Sequence, residues 1–124
     1  MTLLRQLLSD DRWLPLRRGA LVAIWIVLAI ITHIPIPQSG PDIRNIDKVI
    51  HLIAYFPLGL LLLTCRVRGC QRWSVCLLVI AVYGICDELL QVPVGRTASV
   101  WDWVADVAGA ALGLATTTTL LLKQ

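Results

Sequence analysis

Long apolar runs alternate with short polar segments along this chain, and the first two runs are each long enough for a membrane helix. From Gly19 onward no charged residue occurs over a full span of roughly 17 to 25 residues. Pro35 and Pro37 are expected to end this helix. The second run extends from Val49 to Cys65. Pro57 lies inside it and removes a backbone donor, which predicts a kink.

The third and fourth apolar runs reach membrane-spanning length only by including acidic residues. The third begins at Trp73 and meets its first charge at Asp87, too soon to cross a hydrocarbon core of about 30 Å at about 1.5 Å per residue. Its helix must therefore continue to Gln91. The fourth run, Val107 to Leu122, is also too short unless Asp106 belongs to it. These carboxylates are expected at or just below the membrane surface, where unpaired charges are costly.

Composition supports a membrane protein. Of the 124 residues 57% are hydrophobic and only 15% are charged, which is too apolar for a soluble domain with so small a core. We therefore predict an all-α polytopic membrane protein, with four transmembrane helices in a compact bundle formed by residues 19–122. Residues 1–18 are predicted to be a cytoplasmic amphipathic leader with a short interfacial helix, and an unstructured basic leader is the alternative. The polar residues 38–48 are predicted to form the first external loop.

The basic residues predict the orientation of the bundle. The sequence has eleven Lys and Arg residues, and eight of them fall on one side of the predicted topology: Arg5, Arg12, Arg17, Arg18, Arg66, Arg68, Arg72 and Lys123. The other three are Arg44, Lys48 and Arg96. The positive-inside rule then predicts that both termini lie in the cytoplasm. Because these loop charges explain the net charge of +3, no nucleic-acid partner is implied.

Polar side chains of three predicted helices share faces that meet at the external end. At about 100° per residue, the polar positions of the second, third and fourth spans each fall within a narrow arc. Gly84, Gly109 and Gly113 lie on the same faces and would let the helices approach closely. One outward-facing pocket is therefore expected to contain nine side chains: Lys48, His51, Tyr55, Asp87, Glu88, Gln91, Arg96, Asp102 and Asp106.

The charges at this end are unbalanced. Five acids, including Asp47, face only Lys48, Arg96 and His51, which is charged only when protonated, so at least one carboxyl is expected to have a raised pKa or to share a proton or a cation. Such groups can act as general acids or bases, while Arg and Lys can hold a phosphate or carboxylate. The candidate catalytic residues are Glu88, His51 and Asp102, and the candidate ligand-binding residues are Lys48, Tyr55, Asp87, Gln91, Arg96 and Asp106.

The combined spacing of these residues is more specific than any one piece. It consists of three motifs: Asp47-Lys48-x-x-His51-x-x-x-Tyr55, Tyr83-Gly84-x-x-Asp87-Glu88-x-x-Gln91 and Gly95-Arg96-x-x-Ser99-x-x-Asp102-x-x-x-Asp106-x-x-Gly109-x-x-x-Gly113. Over about residues 20 to 122 this pattern resembles the VanZ-like family, small integral membrane proteins named after a teicoplanin-resistance determinant. The resemblance implies lowered lipoglycopeptide susceptibility in some members. Position 106 is aspartate here, as in some members, and asparagine in many others.

Two classes of function remain open. The first is a site that binds or processes an outer-leaflet lipid or lipid-linked envelope precursor. The second is a non-enzymatic small subunit whose polar network is structural and which docks on a larger envelope complex; its partner would be that complex or further copies of the chain. No Ser-His-Asp nucleophile set, phosphate-binding glycine loop or Cys/His zinc spacing occurs, so no cofactor and no metal are predicted.

The charge distribution makes a testable prediction about topology. Reporter fusions or cysteine labelling at Ser39 and Gly95 should report the outside of the cell, and Gly69 should report the inside, because eight of eleven basic residues lie on Gly69's side. Labelling of Gly69 from outside intact cells would contradict this topology.

Overall fold

The computed structural model of the chain describes residues 3–34, 44–67 and 72–122, with only the backbone described at 44 and 45. Within these ranges the protein is helical and has no strand. The elements are α1 (Leu3–Ser9), a 3-10 turn (Asp11–Trp13), α2 (Leu14–Thr32), α3 (Arg44–Leu62), α4 (Trp73–Gln91), a second 3-10 turn (Val92–Val94) and α5 (Val100–Leu122).

Three stretches of the described chain are long and apolar enough to cross a membrane. They are Asp11–Thr32, Trp73–Val94 and Val100–Leu122, which contain α2, α4 and α5. Helix α3, the predicted second span, has 19 residues but is not among them. The all-α class is therefore confirmed, whereas the count of four transmembrane helices stays a prediction.

The helix boundaries agree with the predicted extensions of the third and fourth spans and correct the predicted first loop. Helix α4 does continue to Gln91, and α5 does include Asp106. The predicted loop over residues 38–48 was wrong from residue 44 onward, because α3 begins at Arg44. Asp47 lies in the first turn of α3, where a negative charge is favourable beside the unpaired N–H groups of the helix start. The rest of that predicted loop, together with the two prolines expected to end the first span, lies outside the described residues.

The closest helix contact is a parallel pairing of α3 and α5 at glycines. A Cβ atom on Gly109 would overlap the carbonyl oxygen of Leu52, and one on Gly113 would overlap the carbonyl oxygen of Phe56. A Cβ atom on Gly59 of α3 would likewise overlap the backbone of Ala110 in α5. One turn along α5, from Gly109 to Gly113, the contacted residue of α3 also moves one turn along, from Leu52 to Phe56. The two helices therefore run in the same direction. We call this contact the glycine seam.

Helices α2 and α4 run opposite to α3 and α5. The guanidinium Nε of Arg18, near the start of α2, donates to the carbonyl oxygen of Cys65, just after α3, at 3.0 Å. At the other end the Thr32 hydroxyl lies 2.8 Å from Asp87 Oδ1 and links the ends of α2 and α4. The ends of α2 and α4 and the starts of α3 and α5 therefore meet, and we call this the site end of the bundle. Between the two ends lies one apolar core, whose members include Leu21, Leu28, Tyr55, Leu58, Leu62, Ile80, Ala110 and Leu114.

The N-terminal segment is fastened to the opposite end. The buried Arg17 guanidinium donates to the carbonyl oxygens of Leu7 and Asp10 at 2.8 and 2.9 Å. Arg66, after α3, forms an ion pair with Asp11 at 2.8 Å. The structure has a seven-residue helix here, α1, and the short interfacial helix predicted for this segment stays a prediction. The structure also starts α2 at Leu14, so the predicted leader boundary at residue 18 falls inside a helix.

The glycine seam predicts a strong effect from one added methyl group. Gly109→Ala should lower the free energy of unfolding by about 1 to 3 kcal/mol, because the new Cβ overlaps a backbone carbonyl. This outweighs the gain of about 1 kcal/mol that alanine normally brings to a helix. The measurement is unfolding of purified protein in detergent.

Gly19→Ala is the matched control, since a Cβ there meets nothing within 4 Å. If Gly109→Ala were as stable as this control, the close approach of α3 and α5 would be refuted.

Candidate functional site

The polar residues predicted from the sequence lie together at the site end. The start of α3 carries Asp47, Lys48 and His51, with Tyr55 one turn further on. The end of α4 carries Asp87, Glu88 and Gln91, and the start of α5 carries Asp102 and Asp106. Six of these side chains are buried although polar or charged: His51, Asp87, Glu88, Gln91, Asp102 and Asp106.

His51 and Asp106 form the pair nearest the glycine seam. His51 Nδ1 lies 2.9 Å from Asp106 Oδ1, and both side chains are buried. The other ring nitrogen, Nε2, lies 3.9 Å from Asp47 Oδ1. His51 directly precedes Leu52 in α3, and Asp106 lies about one turn before Gly109 in α5. Because Leu52 and Gly109 are in contact, this part of the glycine seam brings His51 and Asp106 together. The imidazole thus has a carboxylate on each side.

Asp87 is the acceptor on which three helices converge. Its Oδ1 lies 2.8 Å from the Thr32 hydroxyl of α2, and its Oδ2 accepts from the Tyr55 hydroxyl of α3 at 3.3 Å. The Gln91 amide, one turn along α4, donates to the same Oδ2 at 3.3 Å. A buried carboxylate with three donors is well compensated, so Asp87 holds the helix ends together.

Glu88 connects α4 to the start of α5. Its Oε2 accepts from the backbone N–H of Ser99 at 2.7 Å. The carbonyl of Ser99 in turn accepts from the N–H groups of Asp102 and Trp103 at 3.2 and 3.1 Å. Ser99 therefore initiates α5, and Glu88 fixes where that initiation occurs.

Two cations lie at the more exposed rim. Lys48 Nζ is 3.5 Å from Asp102 Oδ1, and the nearest guanidinium nitrogen of Arg96 is 3.8 Å from Asp47 Oδ1. Arg96 also donates to the carbonyl oxygen of Thr32 at 3.1 Å. Both ion pairs are longer than the roughly 2.7 to 2.9 Å of a tight charged hydrogen bond.

Some buried oxygens have no hydrogen-bond partner in the described part of the chain. They include Glu88 Oε1, Asp102 Oδ1 and Asp106 Oδ2. A buried acceptor without a partner costs about 1 to 3 kcal/mol. Two groups of residues could place three donor atoms on one metal ion: Asp47, His51 and Asp102, and separately His51, Glu88 and Asp106.

All nine predicted side chains are brought to the site end, but sequence reasoning missed Thr32. Its hydroxyl and its carbonyl contact Asp87 and Arg96 respectively. A threonine among the isoleucines at the end of an apolar span is a weak signal, and it gains meaning only from the partner on α4. Gly84, predicted as a packing residue, leaves room for Trp103, whose Cδ1 would lie 3.1 Å from an added Cβ.

The family follows from comparison with known proteins. A family model described as VanZ/LLP1 matches residues 18–122. The chain belongs to the VanZ/LLP1 family. The resemblance drawn from the motifs is thereby confirmed, and with the three apolar helices it establishes a VanZ-like membrane protein. A comparison with curated proteins finds no match. A comparison with solved structures finds none either.

The Asp87 network makes a prediction at Thr32. Thr32→Val keeps the shape but removes the hydroxyl 2.8 Å from the buried Asp87 carboxylate, which should lower the free energy of unfolding by about 1 to 3 kcal/mol. Chemical or thermal unfolding in detergent measures it.

Thr119→Val in α5 is the matched control. The Thr119 hydroxyl bonds the Ala115 carbonyl oxygen on an exposed helix face, so its loss should cost little. Equal stability of the two variants would show that Thr32 does not support Asp87.

Proposed function

We propose that this VanZ-like protein binds the anionic headgroup of an outer-leaflet lipid or lipid-linked envelope precursor at the site end of the bundle. In this proposal the protein lies in a bacterial cytoplasmic membrane with both termini inside and the site end facing out. The observation that carries the proposal is the placement of two cations, Lys48 and Arg96, at the rim of the site end, with the nearest guanidinium nitrogen of Arg96 3.8 Å from the Asp47 carboxylate.

Arg96 is suited to an anionic group. A guanidinium has five N–H donors in a planar fork. Its hydrogen bond to Thr32 fixes the position of the fork, while the 3.8 Å separation from Asp47 is too long for a tight ion pair. A phosphate or carboxylate could therefore replace a weak internal pairing with a bidentate one.

The surface around Arg96 is suited to an acyl chain. Several large apolar side chains nearby in sequence are exposed: Leu89, Leu90, Val92, Val100 and Trp101. Exposed apolar residues beside a cationic rim are what an amphiphile with an anionic head would contact. The same features support a lipid better than a free soluble anion.

Acid–base chemistry on such a ligand would come from Glu88, His51 and Asp102. His51 lies between two carboxylates, an arrangement that orients an imidazole for proton transfer. Glu88 keeps one oxygen without a partner among the described residues. These features support a processing step, with Tyr55, Asp87, Gln91 and Asp106 holding the surrounding network.

One observation favours the second candidate, a non-enzymatic subunit that docks on a larger envelope complex. The hydrogen bonds of Asp87 link α2, α3 and α4, and the bond of Glu88 reaches the start of α5. A network of this kind would fix the fold even if the site bound nothing. The two candidates differ in whether loss of charge at the site spares the fold.

The test is lipid co-purification. Wild-type protein extracted in mild detergent should carry an anionic lipid enriched relative to the bulk membrane, measured by mass spectrometry. Arg96→Lys should lose most of this enrichment, because lysine keeps the charge but not the fork. Glu88→Gln should fold near normally, since glutamine can still accept from Ser99, yet lose lipid-dependent activity or teicoplanin tolerance in cells.

Arg66→Lys is the matched control. Arg66 is an exposed arginine paired with an aspartate at the opposite end of the bundle, so its replacement should leave lipid enrichment unchanged. Full enrichment and phenotype in both site variants, or equal loss of stability and phenotype in both, would favour the structural role instead.

A further inference from the structure

Three buried side chains from three helices meet at the centre of the site end. They are His51 of α3, Glu88 of α4 and Asp106 of α5, and one donor atom of each lies within 4.8 Å of the other two. Their exposed fractions are 4%, 5% and 0%. The sequence showed no metal motif because the three ligands are far apart along the chain.

Two carboxylate oxygens of this group have no hydrogen-bond partner in the described part of the chain, so a bound ion could fill this role. Glu88 Oε1 and Asp106 Oδ2 are buried and accept no hydrogen bond from the described residues. Asp106 Oδ2 is directed toward α4, since it would lie 3.4 Å from a Cβ on Gly84, one turn before Glu88. One oxygen of Glu88 accepts from the Ser99 N–H, and one oxygen of Asp106 is paired with His51. The other oxygen of each carboxylate has no hydrogen-bond partner among the described residues.

Carboxylates outnumber permanent cations at the site end. Among the described residues of the site end, the carboxylates are Asp47, Asp87, Glu88, Asp102 and Asp106, and the permanent cations are Lys48 and Arg96. Lys48 and Arg96 lie nearest Asp102 and Asp47 at the rim. The interior acids Glu88 and Asp106 lie beside His51, which pairs with Asp106 at 2.9 Å and carries a charge only when protonated. A cation bound between the two acids would therefore offset charge that a neutral His51 does not.

We propose that His51, Glu88 and Asp106 bind one divalent first-row transition-metal ion. One imidazole and two carboxylates form a mixed nitrogen and oxygen set that suits Zn²⁺ or Mn²⁺, whereas Mg²⁺ and Ca²⁺ favour oxygen alone. The inference is independent of lipid binding at the rim.

The distances fit such an ion after a small contraction. Donor atoms that bind one ion at about 2.1 Å lie no more than about 4.2 Å apart, so a closure below about 1 Å suffices. The 2.9 Å between His51 Nδ1 and Asp106 Oδ1 already matches two neighbouring ligands. With Nδ1 on the metal, Nε2–H would face Asp47, the outer carboxylate that metal-bound histidines commonly have.

The second group of potential ligands, Asp47, His51 and Asp102, fits less well. Asp47 has a side chain that is 41% exposed, and the Lys48 ammonium lies 3.5 Å from Asp102. A cation there would be repelled by the lysine. The two groups share His51, so one experiment can separate them.

The test measures metal content of the full chain. Protein purified in detergent is stripped with chelator, dialysed against Zn²⁺ or Mn²⁺ and analysed by elemental mass spectrometry, with Mg²⁺ as the oxygen-preferring comparison. We expect about one Zn²⁺ or Mn²⁺ per chain and a rise in thermal midpoint that Mg²⁺ does not give. Glu88→Gln and Asp106→Asn should each weaken binding at least about 100-fold, and Asp47→Asn about 10- to 100-fold.

Asp11→Asn, at the opposite end of the bundle, is the control and should keep full metal content. Midpoints measured without metal show whether each variant is folded, and Glu88→Gln retains an acceptor for Ser99. Wild-type protein without bound metal would overturn the proposal. Metal lost in Asp102→Asn but kept in Glu88→Gln would overturn it in favour of the rim group. Loss of metal with unchanged lipid enrichment would leave lipid binding intact.

Discussion

The contact on which the rest of the structure depends is the backbone approach of α3 and α5 at the glycine seam. Side chains larger than hydrogen at Gly59, Gly109 and Gly113 would overlap carbonyl groups of the other helix. Because the helices are parallel, their starts lie side by side, and the polar residues of both are forced into one place. The pairing of His51 with Asp106 follows from this register, since each lies next to a seam contact.

Hydrogen bonds then make this concentration of charge tolerable in an apolar bundle. Asp87 receives donors from three helices, and Glu88 receives the N–H that starts α5. Such compensation is uneven, because some buried carboxylate oxygens have no partner among the described residues. A purely structural network gains nothing from unsatisfied acceptors. The carboxylate oxygens without a partner are therefore where a bound ligand would contribute most.

Much of this arrangement could be predicted from the sequence. Helical periodicity identifies the polar faces, the short apolar runs require α4 and α5 to include their acids, and the motifs identify the family. The start of α3 was misplaced because polarity alone cannot separate a loop from a polar first turn. The partners of each acid were also beyond reach: they depend on the rotation of α3 against α5, and Thr32 joins Asp87 only through the packing of α2 on α4.

The parallel pairing of α3 and α5 also has a consequence for biosynthesis. Their contacts join residues more than 50 positions apart, as in the bonds of His51 to Asp106 and Thr117 to Leu60, and α4 lies between them in the chain. The contacts between α3 and α5 can therefore form only after α5 has been synthesised and has left the ribosome. Until then two partners at the site end are missing, Asp106 for His51 and the Ser99 N–H for Glu88, although Asp87 already has its donors from α2, α3 and α4. The site therefore stays incomplete until α5 packs against the earlier helices.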